Sequence, residues 1–191
     1  TFRDARDMQE YKAVCIGNQT WMAENLRYAV GGTQCYNNST FFCDIYGKLY
    51  SWDNAMAGAS SSNANPSGVQ GVCPSGWHLP SAAEWEELET FLGGPTVAGG
   101  PLKADTILWD APNTGVSNNS SGFKALPGGF SNGVIFNLIN RSAFFLTATE
   151  TSTIQARVRT LTYTSAALGT TVFNKSTLNI SYGSVRCVKD R

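Results

Sequence analysis

The spacing of apolar positions along this chain is helical in two places. Between residues 81 and 92, Trp85, Leu88, Phe91 and Leu92 recur on one face, the three- and four-residue rhythm of an amphipathic helix. Ser81 and Glu84 form a capping box at its start: the Ser81 hydroxyl accepts the Glu84 amide proton, and the Glu84 carboxylate accepts that of Ser81. Pro80 precedes the box and Gly93-Gly94 closes the segment, so a helix is predicted over residues 81–92. A shorter one is predicted over residues 50–57, where Trp52, Ala55 and Met56 share that spacing. Residues 11–16 (YKAVCI) read as a strand ended by the turn Gly17-Asn18, and Thr20-Trp21-Met22 continues extended. After Gly94 the helical rhythm stops. Apolar pieces at 122–126, 134–138, 143–148, 154–163, 170–173 and 184–189 are separated by Gly, Asn and Pro, a pattern of strands and long loops. In ARVRTLTY, Arg157, Arg159, Leu161 and Tyr163 fall on one side of a strand. The pattern predicts an α+β fold in one domain over residues 1–191: two helices in the first half and a twisted antiparallel sheet completed late.

Composition narrows the function classes. Hydrophobic residues make up 42% of the chain, enough for a core, while charged residues reach only 15%, below the usual value of about a quarter. Net charge is zero and no Lys/Arg cluster appears, so nucleic acid binding lacks its electrostatic drive. No apolar run approaches bilayer length, which argues against direct membrane insertion. The chain opens at Thr1, which reads as a trimmed chain without its targeting segment.

Five cysteines and one histidine bound the chemistry. Cys35 and Cys43 lie close together in a polar, turn-rich stretch and suit a local staple. Cys73 and Cys187 would then close a long loop, which suggests an oxidising compartment. Cys15 is left over in the apolar piece Val14-Cys15-Ile16 and reads as a buried free thiol. The acids Glu84, Glu86, Glu87 and Glu89 share one helix and read as first-turn charges and a solvated face, not as a carboxylate pair across a cleft. His78, between Trp77 and Leu79, reads as a packed structural histidine and not as a catalytic base. Trp52-Asp53-Asn54 reads as core plus cap, not as part of a calcium site. No catalytic residue, metal ligand or cofactor is expected.

Two segments carry a family signature: residues 17–26 (GNQTWMAENL) and 73–81 (CPSGWHLPS). With 46–52 (YGKLYSW) and the ending 184–190 (SVRCVKD), they closely resemble the Fibrobacter succinogenes major paralogous domain family. Residues 77–85 are also similar to the W-x-L-P-x-x-x-E-W segment of formylglycine-generating enzymes and other C-type-lectin-like folds. The resemblance implies a C-type-lectin-like fold whose terminal strands pair, here residues 11–16 with 185–189. It supports the Cys73–Cys187 bridge and an extracytoplasmic bacterial setting, and it implies no activity. The chain departs from the family pattern at Cys15 and over residues 147–180, where Thr, Ala, Ser and Val replace the usual Trp/Tyr/Asn-rich composition.

The expectation is therefore a secreted or cell-surface binder of protein or glycan, independent of calcium, without enzyme activity and open to self-association. Residues 113–182 mix hydrogen-bonding Asn, Ser and Thr with Phe, Tyr and Arg, as adaptable binding surfaces do. The candidate contacts are Arg157, Arg159, Tyr163, Phe173, Asn174 and Tyr182; Trp109, Phe130 and Phe136 read as core. Two narrower expectations stand beside it: the hypervariable protein of a diversity-generating retroelement, and a structural subunit of a surface filament or matrix.

Overall fold

A computed structural model describes residues 1–111, 116–175 and 180–191. The chain is α+β, with four helices among these residues and sheets built mainly from antiparallel pairs. Strands β1 (Phe2–Arg3) and β2 (Glu10–Tyr11) form a short ribbon. Strands β3 (Ala13–Ile16), β4 (Gln19–Met22), β6 (Trp77–His78) and β13 (Val188–Lys189) form a second sheet in the order β3-β4-β13-β6. The largest sheet runs β11-β10-β9-β12-β7-β8, with β5 (Leu49–Ser51) beside β12. Its members are β7 (Gly128–Ser131), β8 (Phe136–Ile139), β9 (Ser142–Ser152), β10 (Gln155–Thr162), β11 (Gly169–Asn174) and β12 (Tyr182–Ser184). It is mixed, because β9 meets β12 and β7 in parallel.

The helix predicted over residues 81–92 is α3 (Ala82–Phe91), with Ser81 as its N-cap and both halves of the capping box formed. Trp85 and Leu88 are buried as expected, but Phe91 is 63% exposed. Its ring lies over the Gly17 turn, where a Cβ would meet Phe91 Cδ2 at 2.9 Å. The predicted helix over 50–57 shortens to α2 (Trp52–Met56), because Leu49–Ser51 pairs with β12 first. Two helices lacked a readable rhythm: α1 (Thr40–Tyr46) and the single turn α4 (Gly99–Leu102). Residues 122–126 form no strand; Ala125 makes an isolated bridge to Lys103, and Phe123 packs into the core.

The terminal pairing differs from expectation. Residues 11–16 do not pair with 185–189; Val188 lies opposite Trp21 of β4 on one side and His78 of β6 on the other. The turn at Gly17 (φ +58°) folds β3 back onto β4. The strand with two buried large side chains, Trp21 and Met22, takes the inner position, and β3 becomes the edge. The same fact corrects the reading of Cys15, which is exposed on that edge beside Thr20.

Two apolar clusters form the core. One gathers Tyr11, Met22, Trp52, Trp77, Leu146, Val158 and Phe173. The other stacks Trp21, Trp85, Phe123 and Phe145, with Trp21 and Trp85 centroids 4.6 Å apart. Trp109 is buried, whereas Phe130 and Phe136 are half-buried. Cys35–Cys43 and Cys73–Cys187 are both disulfide-bonded, as expected.

Candidate functional site

Strand β10 lies between β9 and β11 and sets the register of the late segment. Gln155 pairs with Asn174, Arg157 with Val172 and Arg159 with Thr170. Paired residues project to one face of a sheet, so these six share a side. Helix α3 packs on that side. Its Glu86 approaches Arg157 at 3.6 Å, and its Glu89 accepts a hydrogen bond from Arg159. The helix covers only the inner part, where Arg159 and Leu161 are buried. Strand β11 is the sheet edge, and its Thr170, Val172 and Asn174 remain exposed. The opposite face carries Ala156, Val158 and Phe173 into the first core cluster, where Phe173 sits 5.4 Å from the Phe144 ring.

The result is a solvent-facing strip on a fixed backbone: Gln155, Arg157, Thr170, Val172 and Asn174, with Ile154 at the turn. Gln155 Nε2 donates to Asn174 Oδ1 at 3.5 Å, a weak tie that leaves both amides adaptable. Arg157 keeps about a third of its side chain exposed (36%), and its ion pair is long.

Two of the six expected contact residues, Arg157 and Asn174, lie on this strip. Arg159 and Phe173 do not face solvent, at 3% and 5% exposure. Alternation placed Arg159 on the correct side, but α3 covers that side there. Tyr163 is half-buried against the second core cluster. Tyr182 is half-buried on β12, opposite Ser51 and Ser131. Residues 113–115 and 176–179 of the broader 113–182 stretch lie outside the described residues. Thr170, Val172 and Gln155 were missed. The alternation in GTTVFN was a usable signal, since Thr170, Val172 and Asn174 fall on the side opposite Phe173.

The four glutamates of α3 do not form a plain solvated face. Glu84 is 1% exposed. Its Oε2 accepts the backbone N–H groups of Ser81 and Ser67 at 3.0 Å each, and its Oε1 lies 2.7 Å from His78 Nε2. The capping box turns Glu84 back over the helix start and into the protein. Glu87 pairs with Arg191 at 3.0 Å. His78 Nδ1 lies 2.7 Å from Asp190 Oδ1. Burial favours the neutral ring, but the hydrogen bonds to Glu84 and Asp190 outweigh it and hold His78 above its ordinary range. With a carboxylate on each ring nitrogen, His78 has none free to accept a proton from a hydroxyl.

Two buried cations have no hydrogen-bonded carboxylate among the described residues. Burial pushes Lys103 down to about 8, and its Nζ donates to the Thr162 and Ser165 carbonyls. Burial pushes Arg186 down to about 9; it donates to Asn25 Oδ1 and to the carbonyls of Met22 and Phe123. Among the described residues no group of three or more His, Cys, Asp or Glu side chains is placed to hold a metal ion, and no helix is long and apolar enough to cross a membrane.

The geometry defines a disulfide-bonded α+β protein whose terminal segments meet in one small sheet. Residues 14–189 match the Fibrobacter succinogenes major domain, and the chain belongs to that family. Nothing matches among curated proteins or among solved structures.

Proposed function

We propose that the chain is an extracytoplasmic binding module of C-type-lectin-like fold, not an enzyme, that recognises protein or glycan without calcium through the outer strip of β10 and β11. The observation that carries this reading is the strip itself. It combines a cation (Arg157), amides (Gln155, Asn174), a hydroxyl (Thr170) and apolar side chains (Val172, Ile154) on a sheet edge anchored by Phe173 below. That composition gives adaptable hydrogen bonds beside apolar contact, and the β11 edge, which pairs with no further strand among the described residues, offers main-chain donors and acceptors to a partner. The lectin-like reading is supported by the meeting of β4, β13 and β6 near both chain ends and by the Cys73–Cys187 bridge. The two disulfides suit an oxidising, extracytoplasmic setting. The non-enzyme reading draws on His78, whose ring nitrogens both meet carboxylates.

The test is a glycan array and a surface-protein pull-down with the wild type and with a Thr170→Ala, Val172→Ala, Asn174→Ala variant. Binding by the wild type and its loss in the folded variant is the expected result. Binding that persists in the variant moves recognition elsewhere on the molecule. No binding by the intact protein would favour the structural subunit of a filament or matrix.

One observation favours the retroelement alternative. The segment that departs from the family pattern, residues 147–180, supplies exposed positions at the end of β9 and along β11, while Ala148, Ala156, Val158 and Phe173 point into the apolar core. Surface positions on such a scaffold tolerate change at little cost in stability. A genome without a neighbouring reverse transcriptase and template repeat would end that reading.

A further inference from the structure

A second pocket is built from other elements than the strip and offers different chemistry. A pocket of about 210 Å³ is lined by Arg27, Lys124 and Arg186, and by Glu24 and Asp44. Three cations and two carboxylates leave it a net charge of +1. Arg186 is fully buried and has no carboxylate hydrogen-bonded to it. Those bonds use four of the five guanidinium N–H donors, which leaves one on Nη2 unplaced. Arg27 Nε is also buried and has no hydrogen-bond partner among the described residues. An unmet buried donor is costly, and an unmet buried charge more so.

The backbone around the pocket is shaped for close approach. Lys124 holds φ at +57°, a left-handed conformation unusual for lysine. It is kept there by its own N–H, which donates to Asn119 Oδ1, and by the preceding Phe123 carbonyl, which accepts from Arg186. Non-glycine residues retained in this region cluster at ligand sites. Gly47 also lines the pocket, and a Cβ there would meet Asn25 Cβ at 2.7 Å.

The charges also select the ligand. One carboxylate neutralises a net +1, whereas a dianion would overshoot beside Glu24 and Asp44. Glu24 and Asp44 accept hydrogen bonds but donate none when ionised, so a ligand beside them must bring donors of its own. Glu24 Oε2 already takes the Lys12 N–H at 2.8 Å, and Asp44 is exposed. A wider pocket of about 460 Å³ shares Arg27 and Asp44 with the first and adds the polar side chains of Asp7, Gln9, Thr40 and Lys48. We propose that the paired pockets bind a hydroxylated monocarboxylate, a sugar acid of the uronic-acid class. Its carboxylate lies toward Arg186, Arg27 and Lys124, and its hydroxyls lie toward Asp44 and the wider pocket.

Titration of the folded protein with glucuronate, acetate and glucose, followed by NMR, tests this. Glucuronate is expected to bind more tightly than acetate and to shift the amides of Asn25, Gly47 and Lys124 while sparing those of Thr170 and Asn174. Glucose, which lacks the charge, is expected to bind at least tenfold more weakly, about the value of one charge-assisted hydrogen bond. Lys124→Asn keeps a residue tolerant of positive φ and is expected to weaken glucuronate about threefold, as befits an exposed charge. Arg27→Gln is expected to weaken it roughly tenfold. Glucose binding as well as glucuronate, acetate matching glucuronate, or no response to glucuronate would each overturn the proposal. So would unchanged affinity in Lys124→Asn, which serves as the test if Arg27→Gln does not fold.

Discussion

The small sheet of β4, β13 and β6 and the β10–β11 edge use polar residues in opposite ways. Around the small sheet the buried titratable side chains are engaged. His78 bridges Glu84 and Asp190, Glu84 also caps α3 and holds the Ser67 amide, and Cys73 and Cys187 tie the middle of the chain to its end. At the β10–β11 edge, Thr170, Val172 and Asn174 stay exposed, and Arg157 has only a long ion pair. The contrast separates polar groups that hold the fold from polar groups free to meet a partner. Arg157 and Arg159 show it within one strand. They are two residues apart on one face, yet α3 covers Arg159 and leaves Arg157 at its rim.

The contrast can be broken at several points. Removing the Cys73–Cys187 bridge with Cys187→Ser should cost the most. The bridge spans 114 residues of sequence, and loss of such a crosslink costs about 2–5 kcal/mol, readable by denaturant unfolding without reductant. Glu84→Ala comes next. It strips the acceptor from two buried amides and from His78, and a loss of about 2–4 kcal/mol is expected in the same assay.

A pH series on the wild type and on Asp190→Asn sharpens the point. His78 is raised above its ordinary 6.5 by its two carboxylates. A raised histidine contributes stability that is full below the unfolded value and is lost as pH rises through the folded value. Wild-type melting temperature should therefore lose this contribution from near-neutral to mildly alkaline pH, and Asp190→Asn should lose it at lower pH. Identical profiles for the two proteins would show that the Asp190 contact does not set the titration. The smallest effect belongs to the edge. The Thr170→Ala, Val172→Ala, Asn174→Ala variant should shift stability by no more than about 0.5 kcal/mol per site. A larger loss would assign the edge a structural role.

Much of the frame was legible in the chain. Ser81, Glu84, Trp85 and Leu88 announced α3 because capping and helical spacing act within one short segment. The Cys35–Cys43 staple and the α+β class followed from spacing and from the change of rhythm after Gly94, and the family resemblance supported the Cys73–Cys187 bridge. Helix α1 was not legible, since Thr40, Phe41, Phe42 and Ile45 have weak helix preference and the segment is held by the Cys35–Cys43 bridge and the left-handed Gly47 that ends it.

Of the β10–β11 strip, strand alternation showed which residues share a side, and that much was local. It did not show which strand would become an edge. That choice exposed Cys15 on β3 and Thr170, Val172 and Asn174 on β11, and it depends on which neighbour offers the larger buried surface. Nor did it show that α3 would lie over Arg159 and stop short of Val172. The enclosure of Arg186 without a hydrogen-bonded carboxylate is likewise a tertiary fact, because Asn25, Met22 and Phe123, which hold it, lie far from it in sequence. Periodicity and caps are set by neighbours in sequence; burial of charge and exposure of an edge are set by neighbours in space.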